Sequence, residues 1–283
     1  MFKLLGGLMG LLLKDKPTIG FIGFGQTGGA IAHAIHGAFD GYAILAVESN
    51  PARQEWMRSE CSYVRPVAFS ELFEQCQVIF LAIKPQQVSD LAQKVLPYLQ
   101  SNHCLVSMLA GVSYSSLTEL FNPAQIVRIM PNTPAKLAKG VTGIYHDSNV
   151  SEQAKGLVIE LCQSFGQVLM LDSDHDMDII TAMSGSGPAF FYRMVDAFVR
   201  FGVSSGLDDR IAKEAAINTM IGAGHMLLND PNPQDQIQRV ASPNGTTQAG
   251  LEMMDHQEFD TLMEKVLHRS YERAVELSKE SLC

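Results

Sequence analysis

The sequence predicts an α/β half built on a doubly wound, mostly parallel sheet, followed by an all-helical half. Three observations predict it. Short β-branched and aromatic runs alternate with amphipathic helical patterns as far as Leu171, the rhythm of parallel strands with crossover helices on both faces. Strand signals then stop, and long helical patterns take over. A chain of 283 residues, 46% of them apolar, is also long enough for two domains of common size.

The elements follow in order. Residues 18–23 read as a buried strand ending in glycine, 25–39 as a helix, 43–47 as a strand and 51–60 as a helix. Next come strand 78–83, helix 88–99, strand 104–108, helix 115–120 and strand 126–129. A short strand at 143–145, a helix at 151–165 and a strand at 168–171 close the series. Beyond it, helices are expected at 189–203, 208–228, 233–240, 248–254 and 259–279. The expected division is therefore an apolar extension over 1–16, a sheet domain over 17–171 and a helical domain over 172–283. Phe190, Phe191, Met194, Val195, Phe198, Val199 and Phe201 crowd several faces of one helix, which implies burial against a second subunit.

The turn after the first strand reads Gly23-Phe24-Gly25-Gln26-Thr27-Gly28. Between a strand and a helix, this G-x-G-x-x-G pattern marks a Rossmann-type dinucleotide site. Gly23 permits the tight turn, Gly25 lets a pyrophosphate approach the backbone, and Gly28 lets helix and strand pack closely. Glu48-Ser49-Asn50 ends the second strand and should meet the adenosine ribose. An acid there binds the 2′-hydroxyl of NAD, whereas Ser49, Asn50 and Arg53 would suit the 2′-phosphate of NADP. Both cofactors stay open on this reading. Lys84-Pro85-Gln86 and Met130-Pro131-Asn132-Thr133-Pro134 end two further strands at the same carboxyl edge, where the nicotinamide pocket should lie.

Two loops in the second half carry the rest of the chemistry. They are Ser184-Gly185-Ser186-Gly187-Pro188-Ala189 and Ser242-Pro243-Asn244-Gly245-Thr246-Thr247. Each precedes a helical pattern and offers N–H groups and hydroxyls without charge. A helix N-terminus of that kind suits a small carboxylate.

A net charge of −9 argues against non-specific nucleic-acid binding. Five cysteines with no C-x-x-C spacing argue against a disulfide framework or a structural zinc, and fit reduced thiols in the cytoplasm. The apolar run from Leu4 to Leu13 is too short to span a bilayer; it reads as an extension packing on the body or a partner, with a membrane-surface anchor as the lesser alternative. The stretch Asp172-Ser173-Asp174-His175-Asp176-Met177-Asp178 reads as a solvated linker in preference to a metal site. No metal is expected.

These pieces together resemble pyrroline-5-carboxylate reductase, from about Pro17 to Ser278. The matching runs are Ile22-Gly23-Phe24-Gly25, Ala82-Ile83-Lys84-Pro85-Gln86, Ala110-Gly111-Val112, Met130 through Pro134, Met183 through Ala189 and Ser242 through Thr247. The resemblance implies NAD(P)H-dependent reduction of the cyclic imine pyrroline-5-carboxylate to L-proline, with NADPH slightly preferred, and a homodimer interlocked through the helical domains or a larger homo-oligomer. By motif it places cofactor near Gly25, Gln26, Thr27, Lys84, Pro85 and Asn132. It places the substrate carboxylate near Ser186, Ser242, Gly245 and Thr246, with Thr247 as the catalytic residue on the ring nitrogen. Two departures stand out: Asn244 replaces a usual glycine, and Gln26-Thr27-Gly28-Gly29 replaces an Asn-Met-Ala-like run. Asn tolerates a positive φ, so the turn is expected to survive. A β-hydroxyacid dehydrogenase has a similar plan but needs a lysine on the first helix of its second domain; 189–203 holds Arg193 and Arg200 and no lysine. The other alternative is a non-catalytic NAD(P)-binding interaction module, which the intact Thr246-Thr247 pair disfavours.

Overall fold

The computed structural model describes residues 17–280; the expected N-terminal extension and Cys283 lie outside them. The strands are β1 (Thr18–Ile22), β2 (Ala43–Val47), β3 (Val64–Pro66), β4 (Val78–Leu81), β5 (Cys104–Ser107), β6 (Gln125–Pro131), β7 (Gly140–Tyr145) and β8 (Gly166–Met170). They form one sheet in the order β3-β2-β1-β4-β5-β6-β7-β8. Strands β1 to β6 run parallel, and β7 is antiparallel to β6. The reason is chain length. Between β6 and β7 lies only the 3₁₀ turn Thr133–Leu137, too short for the crossover a parallel neighbour requires.

Six helices flank the sheet within this half: α1 (Gln26–Ala38), α2 (Pro51–Glu60), α3 (Phe69–Gln75), α4 (Val88–Val95), α5 (Tyr114–Leu120) and α6 (Glu152–Gln163). Side-chain alternation along the strands splits the core in two. Phe21, Ile44, Phe80, Val106 and Ile129 join one cluster with Ile31, Ile35 and Leu161. Ile22, Leu45, Ile79, Leu81 and Leu105 join the other with Leu72, Leu91 and Leu117. Phe21 and Phe80 stack with ring centroids 4.9 Å apart. Many helix starts are written in the sequence as caps. Asn50 Oδ1 accepts from the N–H groups of Ala52 and Arg53, while Ser113 and Ser151 each accept from the N–H three residues on.

Three expectations need correction. Strand β3 and helix α3 were not foreseen. β3 has three residues, and Pro66 interrupts its β pattern; the sheet tolerates it because β3 is an edge strand. The acidic stretch is no solvated linker. It folds as α7 (Asp174–Ile180), with a capping box between Ser173 and Asp176. The two compact units also divide elsewhere: one holds the described residues through Gly185 together with those from Tyr271 onward, and the other is Ser186–Ser270. Asp174 explains the first part of that shift. Its carboxylate pairs with the guanidinium of Arg128 on β6, which is 2% exposed, and accepts the Tyr114 N–H at 2.8 Å. Gly111 explains the second. At φ +74°, a Cβ there would stand 2.6 Å from Leu277 Cβ, so only glycine lets the end of the last helix pack on this turn.

The second unit contains α8 (Gly187–Ser204), α9 (Asp209–Asn229), α10 (Pro233–Val240), α11 (Thr246–His256) and the start of α12 (Phe259–Glu280). α8 and α9 approach closely at Gly202, where a Cβ would meet Ala212 Cβ at 3.0 Å. Phe198 and Phe201 remain 64% and 72% exposed in the single chain.

Two outcomes are expected. Asp174→Ala leaves a buried guanidinium without its carboxylate, and should destabilise the fold by about 3–5 kcal/mol in chemical unfolding. His103 is buried, accepts the Gln100 N–H at Nδ1 and, with Nδ1 thus occupied, donates from Nε2 to the Phe73 carbonyl. Burial holds its pKa below the ordinary value despite that carbonyl. The stability carried by the neutral ring is therefore present above about pH 6.5 and lost as pH falls through the folded value. The thermal midpoint should fall less between about pH 7 and about pH 5 in His103→Gln than in the parent.

Candidate active site

The carboxyl edge of the sheet brings together the turns after β1, β4 and β6. Gly23 sits at φ +87° and donates its N–H to the Val47 carbonyl. A Cβ at Gly23 would stand 2.6 Å from the Ala82 carbonyl oxygen, and one at Gly28 would stand 2.9 Å from both Ala82 Cβ and the Gly23 oxygen. These two glycines serve the packing of the protein itself. Gly25 is different. No atom lies within 4 Å of a Cβ built there, and Gly25 caps α1 without any side-chain hydrogen bond. Open space thus faces an uncapped helix N-terminus, with Gln26 and Thr27 exposed beside it. That arrangement fits the pyrophosphate of a dinucleotide.

At the end of β2 the expected ribose ligands are partly engaged by the chain. Glu48 Oε2 accepts the Phe24 N–H and Oε1 accepts the Asn50 N–H, both at 2.8 Å. Asn50 spends its side-chain oxygen as the cap of α2. Ser49 is exposed. Arg53 lies 5.0 Å over the Trp56 ring. Two clefts open here. One, of about 450 Å³, is lined by Gly25, Gln26, Arg53, Trp56, Tyr63 and Lys136 among others. The other, of about 350 Å³, is lined by Glu48, Gln54, Arg58, Val67 and Glu71 among others.

After β4, the Lys84 N–H donates to Gln87 Oε1, and Pro85 opens a 3₁₀ turn; the Lys84 side chain is exposed. After β6, Asn132 is a clamp. Its Nδ2 donates to the Ser184 carbonyl and hydroxyl at 3.1 and 3.2 Å, and its Oδ1 accepts the Val141 N–H at 2.9 Å. Ser184 belongs to a π-helical turn, Thr181–Gly185, that continues α7, and such turns concentrate at functional sites. The side chain read as a nicotinamide ligand is thus tied within the protein.

In the second unit, Ser186 is the N-cap of α8, and its hydroxyl accepts from Ser270 at 3.1 Å. Ser242-Pro243-Asn244-Gly245 forms a tight turn closed by the Gly245 N–H on the Ser242 carbonyl at 3.0 Å. Proline stands second and Asn244 third at φ +59°, the pattern of a type II turn. The expectation that asparagine carries the positive φ holds. Gly245 is constrained by the turn itself: its N–H is used inside it, and a Cβ there would run into the Ser242 hydroxyl. Helix α11 then begins with no side-chain cap. Thr246 and Thr247 stand in its first turn, and the Thr247 hydroxyl has no hydrogen-bond partner among the described residues.

Comparisons with known proteins agree with this geometry. Residues 174–277 match the family described as pyrroline-5-carboxylate reductase dimerisation, and 18–111 match NADP oxidoreductase, coenzyme F420-dependent. The pyrroline-5-carboxylate reductase of Pseudomonas aeruginosa is 32% identical over 273 residues, 94% of this chain and 98% of the relative. That of Staphylococcus haemolyticus is 34% identical over 213 residues, 74% of this chain and 78% of the relative. The chain belongs to the pyrroline-5-carboxylate reductase family. Two solved structures of the family are also similar. The Coxiella burnetii reductase superposes with a TM-score of 0.85 at 26% identity, covering 93% of this chain and 99% of that one. The NADP-bound Plasmodium falciparum enzyme gives 0.82 at 26% identity, covering 93% and 98%.

Two features around the glycine loop and β6 carry no motif in the sequence: Trp56, a tryptophan on a surface helix, and Asp174, one acid in an acidic run. Asn132, expected near the cofactor, also bonds Ser184 and Val141, which are distant in sequence. For the glycine loop, Gly25→Val should fold with near-parental stability yet lose cofactor binding in calorimetric titration, because its side chain fills only the open space. Gly23→Val should instead fail at folding, since both its φ and its Cβ contact forbid a side chain.

Proposed function

We propose that this chain reduces 1-pyrroline-5-carboxylate to L-proline, the last step of proline synthesis, with NADPH as the preferred donor and the Ser242–Thr247 loop as the substrate cradle. The observation that carries the assignment is the uncapped, charge-free start of α11 behind the Ser242–Gly245 turn. The Ser242 hydroxyl and the first-turn N–H groups at Thr246 and Thr247 receive the substrate carboxylate, which the helix dipole favours. Thr247 Oγ accepts the N–H of the protonated ring nitrogen. A neutral hydroxyl does this without opposing the iminium charge, which explains why neither histidine nor lysine stands in the loop. When bound, the reduced nicotinamide supplies the hydride; it adds to the imine carbon, and the C=N π pair becomes the lone pair of the product amine. The protein contributes orientation, the main source of rate in such a reaction. Asn132 supports that task by fixing the Ser184 turn to the end of β6 and the start of β7.

A second copy of the chain covers the exposed aromatic side chains of α8, as the match to the family's dimerisation domain supports. Among the described residues, no helix is long and apolar enough to cross a membrane. We place the enzyme in the cytoplasm, where its buried thiols at Cys61, Cys76, Cys104 and Cys162 stay reduced. Burial raises the Cys76 and Cys104 thiols to about 12, which suppresses the reactive thiolate.

The direct test is turnover. The purified chain should reduce pyrroline-5-carboxylate with NADPH and oxidise L-proline at high pH, a reaction that a β-hydroxyacid dehydrogenase or a non-catalytic module lacks. Thr247→Ala should lower kcat/KM for the imine by about one to two decades, the effect of losing a hydrogen bond to a charged group. Cofactor affinity should stay close to the parent's. An unchanged kcat/KM in a folded, dimeric variant removes Thr247 from the site.

A further inference from the structure

The turn at the end of β2 divides its two chemistries between two clefts. Glu48 has both carboxylate oxygens committed to backbone N–H groups, one of them in the glycine loop itself, and lines the smaller cleft. Arg53 shares the larger cleft with Gly25 and Gln26. Its guanidinium makes no hydrogen bond or ion pair among the described residues and lies over the face of Trp56. Trp56 is held in turn. Its ring lies 6.2 Å from the Phe24 ring, and its edge covers the buried Gly29, where a Cβ would stand 3.6 Å from Trp56 Cη2. Gly29 thus leaves the space against which the indole edge packs.

We propose that Trp56 is a positioning residue that holds Arg53 ready for the 2′-phosphate of NADPH, and that Glu48 positions the glycine loop instead of binding the ribose. This rests on the cofactor site assigned above. A guanidinium stacked on an aromatic face keeps its N–H fork free for a phosphate, and less side-chain freedom is lost when the phosphate arrives. With one N–H on each oxygen, the Glu48 carboxylate is held against the glycine loop, and its primary work is to fix that loop.

Trp56 is the single tryptophan of the chain, so its emission reports on the site directly. The probes are adenosine 2′,5′-bisphosphate and 5′-AMP, titrated onto the dimeric enzyme without pyrroline-5-carboxylate. The bisphosphate should change Trp56 emission and bind the more tightly of the two. By calorimetry, Arg53→Ala should weaken the bisphosphate by about 10- to 100-fold and 5′-AMP by less than about twofold. Trp56→Ala should weaken the bisphosphate alone by about two- to fivefold, with Trp56→Phe restoring most of it. Glu48→Gln should weaken both probes by the same factor. Equal losses for both probes in Arg53→Ala, or unchanged bisphosphate affinity in Trp56→Ala, overturn the assignment of Arg53 or Trp56 respectively. A Glu48→Gln loss confined to 5′-AMP makes Glu48 a ribose ligand and overturns its role here. Imine turnover is measured separately on the parent, so a chain that binds these probes but does not reduce pyrroline-5-carboxylate refutes the reaction and not this inference.

Discussion

One buried cation organises the first unit. Arg128 stands on β6 in the interior of the sheet, where a lone guanidinium is intolerable. Asp174 answers it, and with its second oxygen takes the N–H that opens α5. That one carboxylate therefore anchors α7 to the sheet. α7 runs on into the π turn at Thr181–Gly185, and Asn132 clamps that turn from the end of the same strand. Charge pairing on β6 and amide pairing at its tip thus fix the segment that leads to Ser186. A hydrophobic contact would slide; a desolvated ion pair and a three-way amide hold one register.

The carboxyl edge shows how backbone constraint and ligand space are separated. Gly23 and Gly28 are glycines because protein atoms crowd them. Gly25 is glycine because nothing does. The three look alike in the motif yet answer to different neighbours, and only the middle one faces outward. Glu48 belongs to the same economy. A charged side chain at the end of β2 takes two N–H groups from neighbouring turns, one of them in the glycine loop, and so stiffens the surface against which a cofactor must settle.

Much of this was legible beforehand. The alternation of strands and helices marked a doubly wound, mostly parallel sheet, because both periods survive in a single sequence. The glycine loop and the Asn50, Ser113 and Ser151 caps are local, and local chemistry reads directly. β3 was not legible: three residues with a proline carry no period. The acidic run misled because charge pattern alone cannot tell a solvated stretch from a helix whose first acid has a buried partner 46 residues upstream. For the same reason the bonds of Asn132 to Ser184 and Val141 are invisible in the sequence.

The sequence by itself determined the fold class, the family and the charge-free character of the Ser242–Thr247 loop, down to the asparagine that bears its positive φ. These depend on spacing and on residue type within a few positions. Tertiary structure alone decided which polar side chains remain free. Asn132 and Glu48 are engaged with groups distant along the chain, while the Arg53 guanidinium makes no hydrogen bond among the described residues. A hydrogen bond satisfied across the fold leaves no mark on the sequence, because its partner is chosen by proximity in space and not along the chain.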